Sequence, residues 1–286
     1  MRKTRYRQNP LLFGEVDLEL FFVTEVLKLR SLHYGYWDVG VKPQLAPGDV
    51  VAAQARYTEE LLRFVPEETR TILDVGSGIG DNAVACADRG FEVTALSPDK
   101  NHTRYYPTGE QRRIAFHPVR YEDFSSERRF DLLLFSESVN AMDWEGALQQ
   151  SRRLVRPAGR MLISAAFRNP GDRPYPDDFA LTDLPYVQLA RRYGFTLEAA
   201  RDITENCVPT LELAFAILTE RLPPMLSVAE HFLRHSSPGK LALIKFFFRH
   251  QLKQLESLQS RYERILDPTL FRQCSRYVIL RFRHVP

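Results

Sequence analysis

Thr71-Ile72-Leu73-Asp74-Val75-Gly76-Ser77-Gly78-Ile79-Gly80 is the stretch that decides how this chain folds. β-forming residues lead into a carboxylate, three glycines then alternate with other residues, and a helical pattern opens at Asp81. A buried strand that ends in a glycine-rich turn and opens a helix is a nucleotide-binding device. Without a Cβ the backbone turns tightly and lets a ligand come close. The spacing is G-x-G-x-G, not the G-x-G-x-x-G of dinucleotide sites. Asp74 stands two residues before the first glycine. A pyrophosphate would be repelled there, whereas an amino group or a cationic centre would be tolerated well.

Outward from this turn the pattern alternates. Strands are expected at about 71–75, 92–96, 114–118, 130–135 and 160–165, with helices at 81–89, 99–106 and 143–155 between them. Runs such as Leu132-Leu133-Leu134-Phe135 suit strands covered on both faces. The alternation predicts an α/β, doubly wound, mostly parallel sheet with its ligand at the carboxyl ends of the strands. A helix near 184–193 and a strand near 196–202 follow. Helices are then expected at 210–222, ending before Pro223-Pro224, at 227–234, and from 238 to about 265. Tyr277-Val278-Ile279-Leu280-Arg281-Phe282 alternates like a final strand. Upstream lie a basic arm over 1–14, a helix over 18–29, an aromatic cluster at Leu32-His33-Tyr34-Gly35-Tyr36-Trp37-Asp38, a loop around Pro43 and Pro47-Gly48, and an amphipathic helix over 49–64.

Composition narrows the class. A chain of 286 residues, 44% apolar, is enough for one large domain or for one domain with an added subdomain. A net charge of +3 does not by itself argue for nucleic acid. Cys86, Cys207 and Cys274 form no C-x-x-C pair, so neither a metal site nor a disulfide framework is expected, and a reducing, cytoplasmic location is the default. Glu15, Asp17 and Glu19 break the first apolar block, which does not read as a secretory leader. No apolar run reaches the roughly 18 residues of a membrane span.

The residues resemble the class I S-adenosylmethionine-dependent methyltransferases, over about residues 31–205 and the last strand. The resemblance rests on Asp74-Val75-Gly76-Ser77-Gly78-Ile79-Gly80, on Phe130-Asp131 with Ser136-Glu137-Ser138, and on Leu154-Val155-Arg156-Pro157-Ala158-Gly159-Arg160. His33-Tyr34-Gly35-Tyr36-Trp37-Asp38 is similar to the N-terminal signature of small-molecule and lipid methyltransferases, including cyclopropane-synthase-like and natural-product enzymes. The resemblance implies a Rossmann-like, seven-stranded sheet with an antiparallel last strand, plus a helical insertion. It divides the chain into 1–64, N-terminal helices with a cofactor-covering aromatic loop; 65–208 and 269–286, the core; and 209–268, a helical cover for the substrate.

It also implies roles. S-adenosyl-L-methionine is the expected cofactor. Gly76, Ser77, Gly78 and Gly80 would bring backbone to its methionine part, and Asp74 would act on its ammonium or else cap the turn. Tyr34 and Tyr36 would close over it or pack in the core. The ribose carboxylate usual after the second strand is missing, since Ala95 stands at the expected position; Ser97, Asp99 or Asn101 are its substitutes. Tyr121, Glu122 and Asp123 would border the adenine, with a solvated turn as the alternative, and Ser136-Glu137 would meet the ammonium through backbone. His33 is the candidate general base, with a structural histidine as the alternative. Asn140 would orient a substrate, and 206–210 resembles a pocket-lining segment. The glutamate of cyclopropane synthases is missing after the fourth strand, which favours plain methylation.

The expected partner is a small, hydrophobic or lipid-like acceptor, without nucleic acid, for a monomer or homodimer. Lys240, Lys245, Arg249, His250 and Lys253 would give weak membrane-surface association or merely a solvated face. The competing reading is a cofactor-binding structural or regulatory protein without transfer activity. A nicotinamide oxidoreductase lacks its fingerprint spacing, and an RNA methyltransferase lacks a nucleic-acid module.

Overall fold

The computed structural model describes residues 12–13, 16–42, 47–106, 113–171, 173–247 and 249–285. All but Leu12 and Phe13 of the expected basic arm lies outside them, as does Pro43. Seven strands form one sheet: β1 (Thr71–Val75), β2 (Glu92–Leu96), β3 (Ile114–His117), β4 (Phe130–Ser136), β5 (Val155–Arg168), β6 (Phe195–Asp202) and β7 (Ser275–His284). The strand order is β3-β2-β1-β4-β5-β7-β6. β1 to β5 pair in parallel, while the last strand, β7, runs antiparallel to both of its neighbours. The chain leaves β1 toward β2 and β3, then crosses back to β4. The carboxyl ends of β1 and β4 meet at that reversal, the place where a doubly wound sheet binds its ligand.

Strand periodicity sorts the core onto two faces. Leu73, Val75, Leu133 and Phe135 face α3 (Trp144–Leu154) and α4 (Pro185–Arg192). Ile72, Leu132 and Leu134 face α1 (Pro47–Leu62) and α2 (Asp81–Asp88), together with α5 (Thr204–Ala216). The helix–turn–strand signature is a left-handed turn at Ala158 (φ 58) that shifts the β4–β5 register between Phe130 and Leu132. Gly159 follows because a Cβ there would stand 2.7 Å from Val155 Cγ2.

Several elements differ from expectation. The helix over 18–29 is an α-turn (Leu18–Phe21) continued by a π-turn (Phe22–Val26). Pro47-Gly48 is not loop but the first turn of α1, where proline's missing N–H has no partner to lose. The helix over 99–106 is a 3-10 turn (Lys100–Tyr105) capped by Asp99, whose Oδ1 accepts from Asn101 N at 2.8 Å. Helix α5 begins before Thr210, absorbs Asn206–Thr210 and carries Pro209 inside it. Pro223-Pro224 do not stop the next helix; they open α6 (Leu222–Ser236). Two missing N–H groups in succession deprive the Thr219 and Glu220 carbonyls of helical donors, and the turn between α5 and α6 is π-helical (Ile217–Arg221). The helix expected from 238 to about 265 is helical on both sides of Phe248, which lies outside the described residues, as α7 (Pro238–Phe247) and α8 (Arg249–Leu266), and α9 (Pro268–Cys274) then leads into β7. Among the described residues no helix is long and apolar enough to cross a membrane.

Candidate active site

Asp74 sits inside the sheet, 1% exposed, in register with Ala95 and Leu134. Its Oδ2 is buried with no hydrogen-bond partner among the described residues. Burial, then the charge of Asp81, pushes its pKa up to about 8, while His33 pulls the other way. At neutral pH the carboxyl is mostly neutral and under-satisfied, a costly arrangement until a donor arrives.

The turn after β1 is held from below. Ser77 donates from N and Oγ to Leu96 O, at 2.9 and 3.1 Å, and accepts from the Tyr106 hydroxyl at 2.5 Å. Gly76 (φ 73) and Gly80 (φ 89) back onto protein: a Cβ would meet Ser138 Cβ at 2.4 Å and the Tyr106 ring at 2.7 Å. Gly78 (φ 54) has only Leu32 Cδ1 nearby, at 3.4 Å among the described residues, so its backbone stays open to close approach.

The aromatic segment is a packed loop that also reaches this turn. Gln54 of α1 donates to Ser31 O and His33 O, and Thr210 Oγ1 of α5 accepts from Gly35 N at 3.0 Å and Trp37 Nε1 at 2.9 Å. His33 is buried and stacked on Tyr57. Its Nε2 lies 2.6 Å from Asp81 Oδ2 and its Nδ1 2.7 Å from Tyr34 O. A carboxylate and a carbonyl both accept, so both ring nitrogens carry hydrogen. Burial alone would lower this pKa, but the charge and hydrogen bond of Asp81, then the charge of Glu137, turn the net shift upward. The expected general base is instead a buried imidazolium, with no lone pair left for a substrate proton. Asp81 is pulled below the usual carboxylate range: burial opposes this, but His33 and Ser31 outweigh it.

Glu137 follows β4 at φ 57 and engages by side chain as well as by backbone, its N–H donating to Ser164 O at 2.8 Å. Its Oε1 accepts from Tyr34 N at 2.9 Å and from the Tyr277 hydroxyl at 2.5 Å. Burial raises its pKa, against the pull of His33. Tyr57 OH ties Ser164 Oγ (2.7 Å), Ser136 Oγ (3.2 Å) and Tyr277 OH (3.0 Å) into the same network.

Other expected residues stand elsewhere. Ala95 is buried inside β2, and Ser97, the first residue past that strand, is also buried, its Oγ 2.8 Å from His102 Nδ1. Asp99, three residues from His102, is partly exposed. Tyr36 turns away: its hydroxyl accepts from Arg201 Nη2 at 2.8 Å, beside Glu60. Tyr121 is a core residue bonded to Ser151 Oγ at 3.0 Å, whereas Glu122 and Asp123 are exposed on its 3-10 turn. Asn140 is exposed, and its Nδ2 is tied to Ala166 O at 2.6 Å.

Asp81, Tyr57, Tyr277 and Tyr106 complete the site without having been singled out in the sequence. An acid opening a helix reads as ordinary dipole chemistry. Tyrosines on apolar faces read as core, and only their hydroxyl partners, distant in sequence, reveal more.

A model of the methyltransferase domain family matches residues 52–203. The chain belongs to that family. The ubiquinone biosynthesis O-methyltransferase of Alkalilimnicola ehrlichii is 34% identical over 153 residues, covering 51% of this chain and 60% of the relative. This methyltransferase-family chain thus matches little more than half the length of that curated relative. Among solved structures, the cyclopropane synthase MmaA2 from Mycobacterium tuberculosis aligns with TM-score 0.66 at 14% identity, over 98% of each chain. A geranyl diphosphate C-methyltransferase from Streptomyces coelicolor, solved with Mg2+, geranyl diphosphate and S-adenosyl-L-homocysteine, aligns with TM-score 0.62 at 14% identity, over 92% of this chain and 93% of that one. At such identities the likeness is one of fold. S-adenosyl-L-methionine is the cofactor that goes with this methyltransferase domain, and the residues present fit it. An unpartnered buried carboxyl oxygen and an open glycine backbone suit an ammonium-bearing ligand.

Proposed function

We propose that this chain is an S-adenosylmethionine-dependent methyltransferase acting on a small, hydrophobic or lipid-like metabolite by direct in-line transfer. The observation that carries the reading is the unpartnered Oδ2 of Asp74 at the carboxyl end of β1. The chemistry supplied by the bound cofactor is an electrophilic methyl group. Asp74 receives the ammonium, Gly78 gives backbone access, and Ser97 with Asp99 takes the ribose side. Glu122 or Asp123 borders the adenine. Tyr34 covers the cofactor, held there by Glu137 and Tyr277.

His33 does not abstract a proton in this reading; it fastens the covering loop to Asp81. The protein's work is alignment and exclusion of water, which supplies up to ~7–11 kcal/mol of a barrier in favourable cases. The helical run 209–268 covers the acceptor, and its apolar content favours a hydrophobic one. Incubation with methyl-labelled cofactor and a metabolite extract, read by mass spectrometry, is expected to show one species gaining one methyl. Cofactor binding without any labelled product would favour the second reading, a cofactor-binding protein without transfer activity. That alternative draws on Ala95, which stands where relatives place a carboxylate, and on its substitute Ser97, a neutral hydroxyl already 2.8 Å from His102 Nδ1.

A further inference from the structure

The helical insertion exposes apolar side chains at helical spacing. On α6, Met225 (69% exposed) and Phe232 (68%) flank Val228 (70%), three or four residues apart in turn. On α7, Phe246 (64%) and Phe247 (68%) follow Leu243 (57%) at the same spacing. The two helices pack on each other, while α8 returns to α5 and anchors the unit to the core. Isolated exposed apolar residues are ordinary, but a run over two adjoining helices marks a docking surface.

Charge says what docks there. Residues 222–253 hold five Lys and Arg against one acid, Glu230, an excess greater than the +3 of the whole chain. Arg234 near the end of α6, Lys240 near the start of α7, and Arg249 and Lys253 in the first turns of α8 are exposed. Glu230 is already paired with Arg234, at 2.7 Å. Arg249 lies over the Phe246 ring, 5.7 Å from its centre, which sets a fixed charge at the edge of the apolar patch. An apolar face rimmed by exposed cations matches a bilayer surface that carries anionic headgroups above acyl chains. No complementary shape is needed from such a partner, only depth and negative charge.

We infer that α6 and α7 dock this chain onto anionic lipid surfaces, with Met225, Phe232, Phe246 and Phe247 entering the acyl boundary and Lys240, Arg249 and Lys253 at the headgroups. This docking stands whether or not the methyl acceptor is a lipid. Flotation of the full chain with phosphatidylcholine vesicles, with and without phosphatidylserine, tests it. Co-flotation with the anionic vesicles, reversed by ~1 M salt, is expected. Lys240→Gln with Lys253→Gln should lower the partition coefficient roughly 25-fold, about fivefold per charge. Phe232→Ser with Phe246→Ser and Phe247→Ser should abolish flotation, with circular dichroism and cofactor affinity unchanged as the check on folding. A chain that stays in solution with anionic vesicles overturns the inference. So does a dimer, seen by light scattering, that the phenylalanine variant dissociates without any vesicle binding: the patch then belongs to a second copy.

Discussion

Asp74 is the residue on which the site turns, and its position has a cost that can be measured. Its pKa is raised to about 8 in the folded protein, above the ordinary carboxylate value, so the stabilising neutral form is fully present only at low pH. Between about pH 4 and 8 the unfolded chain releases this proton while the folded chain keeps it, and stability falls through that window. Asp74→Asn should flatten the slope and raise stability at pH 8 by on the order of 2–4 kcal/mol in urea titrations, while weakening cofactor binding at least tenfold. In the His33–Asp81 pair the histidine limb has the same sign as Asp74 and the Asp81 limb the opposite one. The pair's contribution is full below the ordinary histidine value and is lost as pH rises through the raised pKa of His33; at the acid end it is lost as pH falls through the lowered pKa of Asp81. His33→Ala should cost about 3 kcal/mol near neutral pH by stranding Asp81, and adding Asp81→Asn should recover part of it. The glycines separate stability from binding. Gly76→Ala meets Ser138 at 2.4 Å and should unfold the turn. Gly78→Ala should cost only about 1 kcal/mol of stability for its left-handed backbone but more than tenfold in cofactor affinity. The carboxylate and the glycines were legible because their spacing is local. Asp81, Tyr57 and Tyr277 were not, because their partners lie 48, 107 and 140 residues away, at His33, Ser164 and Glu137.

Among the elements, the aromatic loop shows how a segment without regular structure is held. Thr210 Oγ1 accepts from two donors of the loop, and Asn206 exchanges hydrogen bonds with Trp37 through N–H and carbonyl groups on both residues. Thr210→Val keeps the shape and removes the acceptor, leaving two donors to water or to nothing. A loss of about 1–3 kcal/mol is expected in thermal melts, with faster hydrogen exchange confined to residues 33–38. The loop's packing could be read from its aromatics, but its clamp to α5 could not, since the sequence predicts a helix only from 210 and 206–210 folds as helix despite Pro209. The strands were legible throughout, because continuous apolar runs such as Leu132–Phe135 have one solution in a sheet covered on both faces. The helices of the insertion were legible too, but not their bounds. Pro223-Pro224 reads as an end yet opens α6, since proline is tolerated wherever the N–H has no helical partner.

For the whole molecule, the order β3-β2-β1-β4-β5-β7-β6 follows from alternation, right-handed crossovers and one antiparallel return. That order sets the glycine turn and Glu137 side by side at the ends of β1 and β4, and the aromatic loop reaches both, with Leu32 beside Gly78 and Tyr34 N on Glu137. Ala95, in place of a carboxylate, is the point at which the fold and the ligand site part company, because strand register fixes the position but not the side chain there. The central claim is that the end of β1 holds an amino-bearing methyl donor on Asp74. Titration calorimetry of the full chain with S-adenosyl-L-methionine and S-adenosyl-L-homocysteine at pH 6, 7 and 8, in buffers of different ionisation heat, tests it most directly. The account predicts that both ligands bind, with affinity rising with pH up to about 8 and a proton released that Asp74→Asn does not release. Absence of binding by either ligand at every pH, or binding of undiminished affinity to Asp74→Asn, would contradict it.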